Sequence, residues 1–488
     1  MNNHIAVDIG ASSGRLVRGI LQEGVLTLEE LHRFSNRFIE QEDSCFWDID
    51  YLFEQIIIGL QKAKGQGITA CTLGIDTWAV DYVLVDAEGT RIQEVYAYRD
   101  RRTDKAMDEV AKHISPQTIY EKTGIQQLSF NTLYQLYVHS EEEIAKADQI
   151  LLVPDYLYYR LTGRKINEVT NASSTQLLNL ESRDFDNDLL DFLNIKRDQF
   201  ATLTEPGVII GPLDEALIQV YDLPDCQLIC VATHDTASAV LGAPLQRNSA
   251  YISSGTWSLL GVERTQPLNS MMAMKANYTN EWGAYGTYRF LKNVMGLWLI
   301  QEVRRLMDDR YSFAELAELA HGEEGFRSLI SCNDPRFLNP SNMIEEIRSA
   351  CAESGQPVPE TPGQLARCIF DSLALSYLTY LEELEELIES RIEVLQIVGG
   401  GANNSLLCQL TADVIGREVK AGPTESTALG NIVVQMISTG SITDINEARD
   451  IIAESFEIKA YTPRPTAHLE DILIRWKELQ LSKIQHQI

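Results

Sequence analysis

Apolar and polar residues alternate through positions 5–8, 15–21 and 25–34, and the alternation breaks at 10–14 and again at Glu23-Gly24. A period of two interrupted by turn residues predicts three antiparallel strands in a meander. Positions 50–64 then predict a helix, and a strand follows into LGIDTWAVDYVLVD, an apolar run into which Asp76 and Asp81 are set. Helices and strands keep alternating to about residue 245, as in a mixed α/β domain. The second half repeats the opening plan. In SAYISSGTWSLLGVE an apolar strand precedes the small-residue turn 253–256 and another strand follows it. Long amphipathic helices over 365–390, a strand at 394–398, the turn GGGANN and a helix from about Ser405 complete the pattern. Two halves with matching turns predict two related domains, 1–245 and 246–460, followed by a helical tail over 461–488. No repeat of 20 to 50 residues is present, which excludes solenoids and propellers.

Composition narrows the class. The 488 residues are 44% hydrophobic and 23% charged, which is ordinary for a globular chain and excludes disorder and collagen. There are 41 Lys and Arg against 70 Asp and Glu, a formal net charge of −29, so nucleic acid and anionic lipid would be repelled. The densest basic cluster, Arg99, Arg101 and Arg102, is interleaved with Asp100 and Asp104 and makes no basic stripe. Asp8 interrupts the first apolar run and no basic segment precedes it, so a secretory leader is not expected. No stretch reaches the ~18 apolar residues of a membrane span. The expectation is a cytoplasmic protein. Its eight cysteines include no CxxC pair, so reduced, buried thiols are expected, with Cys351 and Cys368 as the pair that would meet if the chain doubles back between them.

Four segments carry candidate chemistry. A phosphate-binding turn needs consecutive backbone N–H groups in one concavity, and small residues leave the approach open. Gly10-Ala11-Ser12-Ser13-Gly14 meets that need, as does Ser254-Gly255-Thr256; a plain hairpin turn is the competing account of each. Asp8 ends the first strand, where a carboxylate can hold the water shell of Mg²⁺. Gly399-Gly400-Gly401 follows a strand and precedes a helix, a position for close backbone approach to a nucleotide. In THDTASAV, Asp235 follows an apolar strand and opens a helix. It fits a helix-start acid, and it fits equally a general base that accepts the proton of an attacking hydroxyl. His234 reads as its hydrogen-bonding neighbour. GxxxxGK[ST] is absent. Gly65-Gln66-Gly67-Ile68-Thr69-Ala70 matches GxGxxA but lies between a helix and a strand, the reverse of the order dinucleotide binding requires.

Taken together, VDIGASSGR, GIDTWAVD, GIQQLSFNTLYQLY, THDTASAV, SSGTWSLLG, LKNVMGLWLIQ, VGGGANNSLLCQL and GPTESTALGN resemble the FGGY carbohydrate kinases over roughly residues 5 to 435. The resemblance implies an actin-like ATPase fold, α/β in class, with two ribonuclease-H-like domains flanking a catalytic cleft that closes on its ligands. It implies ATP and Mg²⁺, with transfer of the γ-phosphoryl to the 1-hydroxyl of L-rhamnulose. A kinase for another ketose or polyol, such as xylulose or glycerol, and a non-catalytic sugar or ATP sensor are the alternatives. By motif match Asp235 would be the base. Ala11, Ser12, Ser13, Gly14, Arg15, Thr256, Gln301 and Gly400 would hold the nucleotide. Ala79, His234, Asp235, Thr236 and Asn293 would line the sugar site, with Ala79 standing where the family pattern expects glycine.

Overall fold

The computed structural model describes residues 3–42 and 44–484. The chain packs as two compact units. The first runs to Pro244 and adds Glu263–Leu291 and Ser426–Ser455; the second comprises Leu245–Val262, Lys292–Glu425 and the segment from Phe456 onward. The boundary read from the chain order leaves out this interleaving, because a pattern of turns does not register a segment that returns to an earlier sheet.

The first unit is built on a six-stranded sheet in the order Ile209–Pro212, Asp225–Ile229, Ala70–Thr77, His4–Ile9, Ser13–Gln22, Val25–Ser35. The expected meander is present: His4–Ile9 pairs antiparallel with Ser13–Gln22, which pairs antiparallel with Val25–Ser35. His4–Ile9 also pairs parallel with Ala70–Thr77, so it is central and all six of its residues are buried. Its alternation sorts two faces. Ile5, Val7 and Ile9 join the apolar cluster with Leu52, Phe53, Ile56 and Leu60 of the helix Ile49–Gly65. Each such fully buried side chain contributes roughly 1.5–3 kcal/mol.

The opposite face carries His4, Ala6, Asp8, Gly74 and Asp76 and is covered by the helix Ser426–Ser438. Small residues set the approach of that helix. A Cβ on Gly19 would lie 2.5 Å from Ile432, and one on Gly74 would lie 2.4 Å from the Asn431 side-chain oxygen. The same helix crosses Asp235–Leu241 backbone to backbone: a Cβ on Gly430 would meet the Ser238 carbonyl oxygen at 1.8 Å, and one on Gly242 the Ser426 carbonyl oxygen at 1.9 Å. Helices packed this closely fix where Asp235 begins its turn.

In the second unit, strands run in the order Trp257–Arg264, Ser249–Ser254, Val394–Val398, Glu418–Ala421, Lys459–Tyr461. Ser249–Ser254 pairs antiparallel with Trp257–Arg264 and parallel with Val394–Val398, which repeats the topology of the first two strands of the chain plus their parallel neighbour. The long helix Pro362–Ile388 buries Leu365, Ile369, Phe370, Leu373 and Tyr377. The expected tail contains the helix Leu469–Ile484; residues 485–488 lie outside the described residues. No helix among the described residues is long and apolar enough to cross a membrane.

Because backbone cannot yield as a side chain can, Gly430→Ala should lower stability by about 1–3 kcal/mol or more in urea denaturation. Gly65→Ala, at a helix end with open space around it, should leave the midpoint nearly unchanged; equal midpoints for the two variants would contradict the close helix crossing.

Candidate active site

Three segments of the first unit end side by side. Asp8 stands opposite Asp76 in the parallel register, and the chain after Ile229 continues along the other side, where Thr77 N donates to Thr233 O at 2.8 Å and Thr77 bridges His234. Asp8, Asp76 and Asp235 therefore lie at the carboxyl ends of neighbouring parallel segments, the edge where open α/β sheets hold ligands.

The electrostatics follow from this crowding. Burial, and after it the charge of Asp8, pushes the Asp76 carboxyl well above the usual carboxylate range, and Asp235 adds to the effect. Asn431 Nδ2 donates to Asp76 Oδ2 at 2.6 Å, whereas Oδ1 is buried without a hydrogen-bond partner among the described residues. Asp8 Oδ2 accepts from Arg15 Nε and Nη2 at 3.1 and 2.9 Å. Among the described residues no cluster of three or more His, Cys, Asp or Glu is arranged to chelate a metal ion. A hydrated divalent cation needs few protein ligands. The accumulated negative charge and the unpartnered Asp76 oxygen fit such an ion.

Asp235 opens the helix Asp235–Leu241, with His234 at the N-cap. Its Oδ1 accepts from Thr236 N at 2.6 Å and Thr236 Oγ1 at 3.1 Å, and the side chain is 33% exposed, so Oδ2 remains as an acceptor for an incoming hydroxyl. Burial raises its pKa and the Asp8 charge adds to the rise, while His234 opposes it. A carboxylate so shifted binds a proton more readily, which suits a base. The backbone before it is anchored by Glu168, fully buried, whose carboxylate accepts from Thr170 N and Oγ1, Asn171 N, and Thr233 N and Oγ1 at 2.6–3.1 Å. Asn171 Nδ2 reaches both Trp78 O and Thr233 O, at 3.4 and 3.5 Å. That link brings the DTWAV segment beside His234.

Ala79 is half-buried, and the unusual backbone is at its neighbour: Val80 has φ of +72°, a conformation a β-branched residue rarely adopts. Thr132 Oγ1 donates to the Val80 carbonyl at 2.6 Å and helps to hold it. The next residue, Asp81, organises an aromatic wall. Its Oδ2 accepts from Trp47 Nε1, Trp78 Nε1 and Tyr98 N at 2.6, 2.9 and 3.0 Å, and its Oδ1 from Gln135 Nε2 at 2.9 Å. The two indoles pack with centroids 4.1 Å apart.

The turn of residues 10–14 is closed by Gly10 N donating to Ser13 O at 2.9 Å, with Ser12 and Ser13 exposed and Gly14 buried where a Cβ would meet the Phe34 ring. In the second unit, Thr256 Oγ1 donates to Gln301 Oε1 at 3.3 Å, and Leu297 N and Trp298 N donate to the carbonyls of Gly255 and Thr256. Gly399 has φ of +78°, and a Cβ on Gly401 would strike the Ser254 hydroxyl, so the turn containing Gly400 adjoins the turn 254–256. Asn293 lies half-buried in the strand Tyr288–Met295, in the part assigned to the second unit. The structure thus gathers Asp8, Arg15, His234, Asp235 and Thr236, with Ala79 close by, in one unit, and Thr256, Gln301 and Gly400 in the other. Cys351 and Cys368 do come together, as free thiols, and no disulfide joins them. Sequence reasoning noted Asp76 and Asp81 as charges in an apolar run without assigning them, and it missed Glu168, Asn171 and Asn431, which carry no local signal.

This arrangement is that of a two-domain sugar kinase. The fold matches the crystal structures of gluconate kinase from Lactobacillus acidophilus, TM-score 0.81 at 17% identity covering 98% of each chain, and of Plasmodium falciparum glycerol kinase with ADP, TM-score 0.80 at 14% identity covering 99% of this chain and 98% of that one. The N-terminal domain model of the FGGY family of carbohydrate kinases matches residues 4–242 and the C-terminal domain model matches 250–439. Similar relatives include the rhamnulokinases of Ligilactobacillus salivarius strain UCC118, 51% identical over 95% of this chain and 96% of that protein, and of Bacillus subtilis strain 168, 50% identical over 94% and 95%. The chain belongs to the FGGY family of carbohydrate kinases, and it is a sugar kinase that uses ATP.

Burial raises the Asp81 carboxyl to about 6 from an ordinary 3.8. The folded protein holds this proton more tightly than the unfolded chain, so the stability it contributes is full below pH 3.8 and is lost as pH rises through about 6. Asp81→Asn should flatten that part of the stability–pH curve in urea titrations. Asp81→Ala, which strands two buried indole N–H groups, should cost at least about 2 kcal/mol and change the near-ultraviolet circular dichroism of the tryptophans.

Proposed function

We propose that this kinase transfers the γ-phosphoryl group of ATP to the primary 1-hydroxyl of L-rhamnulose, giving L-rhamnulose 1-phosphate and ADP in L-rhamnose degradation. The observation that carries the reading is similarity at about half identity, over nearly the whole chain, to several rhamnulokinases. The solved neighbours, at 14–17% identity, speak for the fold alone.

In this reading Asp235 Oδ2 accepts the proton of the attacking hydroxyl while His234, Thr236, Ala79 and Asn293 orient the sugar. Ala11, Ser12, Ser13, Gly14 and Arg15 cradle phosphates through the backbone N–H groups of the first turn and the guanidinium. Thr256, Gln301 and Gly400 hold the rest of the nucleotide. Asp8 holds Mg²⁺ through its water shell, and when bound the ion neutralises charge on the transferring phosphoryl group. Domains 1–245 and 246–460 divide the work accordingly, with 461–488 as a helical tail. The cytoplasm suits the enzyme, since its eight cysteines are free thiols.

Purified protein with Mg-ATP and a panel of ketoses and polyols, followed by ADP release, should turn over L-rhamnulose fastest; a clear preference for xylulose or glycerol would replace this reading. Asp235→Asn should keep the fold and lower kcat by about 10³-fold or more, and unchanged turnover would remove Asp235 from the role of base. Chelation of the metal should abolish activity and Mg²⁺ should restore it, while Asp8→Asn should raise the Mg²⁺ concentration needed by about tenfold or more.

A further inference from the structure

Behind His234 lies a buried ion pair that phosphoryl transfer does not by itself require. Glu281 on the strand Thr279–Trp282 stands opposite Arg289 on the antiparallel strand Tyr288–Met295, and their side chains are 8% and 1% exposed. Arg289 Nη2 lies 2.9 Å from Glu281 Oε2 and 3.1 Å from His234 Nδ1, and Nε and Nη2 also approach Trp282 O at 3.4 and 3.5 Å. A buried pair of this kind is a poor source of net stability. Its geometry says more about the histidine.

A guanidinium nitrogen only donates, so Arg289 Nη2 beside Nδ1 requires a lone pair there. Glu281 Oε2, 3.3 Å from the same ring nitrogen, asks for the opposite, an Nδ1–H, yet it accepts no well-aligned hydrogen bond. The shorter and better-aligned contact is the one from Arg289. With Nδ1 accepting, the ring proton sits on Nε2. Nε2 is 3.5 Å from Asp235 Oδ1, too far for a direct bond, so its N–H is left for an oxygen bound next to the aspartate. On the remaining side the backbone N–H of His234 reaches Thr170 Oγ1, a group already held by Glu168. Among the described residues, the charged groups recorded against the ring are Arg289, Glu281 and Asp235.

We propose that Arg289 and Glu281 are positioning residues that hold His234 as its Nε2–H tautomer, so that His234 donates to the sugar and Asp235 alone accepts the proton. The proposal rests on the reading of Asp235 as the base. It adds two residues to the machinery, 46 and 54 positions beyond that aspartate in the chain.

The test is long-range ¹H–¹⁵N correlation of the imidazoles in ¹⁵N-histidine-labelled full-length protein, with His234→Gln used to identify the signal. The wild type should show a protonated Nε2 and a bare Nδ1. Arg289→Met alone would leave the Glu281 charge buried and unpaired, and unfolding would be its plain result. The informative variant is therefore Arg289→Met combined with Glu281→Gln, which removes both charges. That pair should fold, show mixed tautomers, and lose about tenfold or more in kcat, with KM for ATP changed by less than about twofold. Arg289→Lys, which keeps a donor, should fall between wild type and pair variant in both readouts. A wild-type Nδ1–H or doubly protonated ring, or a folded pair variant with unchanged tautomer and kcat, would overturn the proposal. A wild type that phosphorylates L-rhamnulose yet carries Nδ1–H overturns the tautomer assignment and leaves the substrate reading intact; Nε2–H in a protein inactive on L-rhamnulose does the reverse.

Discussion

Mutual repulsion among carboxylates gathered at the ends of parallel segments is the constraint around which the first unit is organised. Asp8 and Asp76 are neighbours because two strands pair in parallel with those residues in register, and Asp235 joins them because the backbone at Thr233 continues the same ladder. Such crowding is costly unless each charge is answered. Arg15 answers Asp8, Asn431 answers one oxygen of Asp76, and the N–H and hydroxyl of Thr236 answer Asp235. Among the described residues, one buried oxygen of Asp76 keeps no hydrogen-bond partner, and the bonds to Asp235 go to Oδ1, leaving Oδ2 as an acceptor. In the proposed reading, those residual demands are where a cation and the attacking hydroxyl would be accommodated.

Meeting the demands depends on a helix from far along the chain. Asn431 reaches Asp76, and Gln435 reaches both the Ile5 carbonyl and Thr72, because Ser426–Ser438 lies close against the sheet. That proximity is possible only where side chains are missing, at Gly19, Gly74, Gly242 and Gly430. Glycine here trades backbone entropy for approach. The same crossing sets the start of Asp235–Leu241. Packing is thus coupled to the site: a methyl group at the helix contact would be felt at Asp235.

A second level of organisation surrounds the aspartate. Glu168 ties down the backbone before it, Asn171 joins that backbone to the Trp78 segment, and Arg289 with Glu281 addresses the ring of His234. These groups are buried polar residues whose hydrogen bonds nearly all go to other site-bearing elements, as a site held to fixed geometry requires. In the second unit the same economy appears in simpler form, with Thr256, Gln301 and the glycine turn after Val398 held by a few backbone contacts.

The meander of residues 4–35, the helix at 49–65, the strand at 394–398 and the two small-residue turns were legible in the chain itself, because each is specified by periodicity or turn chemistry within about a dozen residues. The segment order around Gly65-Gln66-Gly67 was likewise sufficient to reject a dinucleotide turn. Asp235 and the FGGY motifs were legible as local words. The contacts of Glu168, Asn171, Glu281, Arg289 and Asn431 were not, since each acts on a residue that lies between 47 and 355 positions away or on more than one element at once. Nor could periodicity show that Val80, and not Ala79, takes the left-handed backbone, or that 263–291 and 426–455 return to the first unit. Local sequence determined the elements and offered Asp235 as the candidate base. Which carboxylate has an oxygen to spare, and which nitrogen of His234 holds a proton, was decided by partners that only tertiary packing brings within hydrogen-bonding distance.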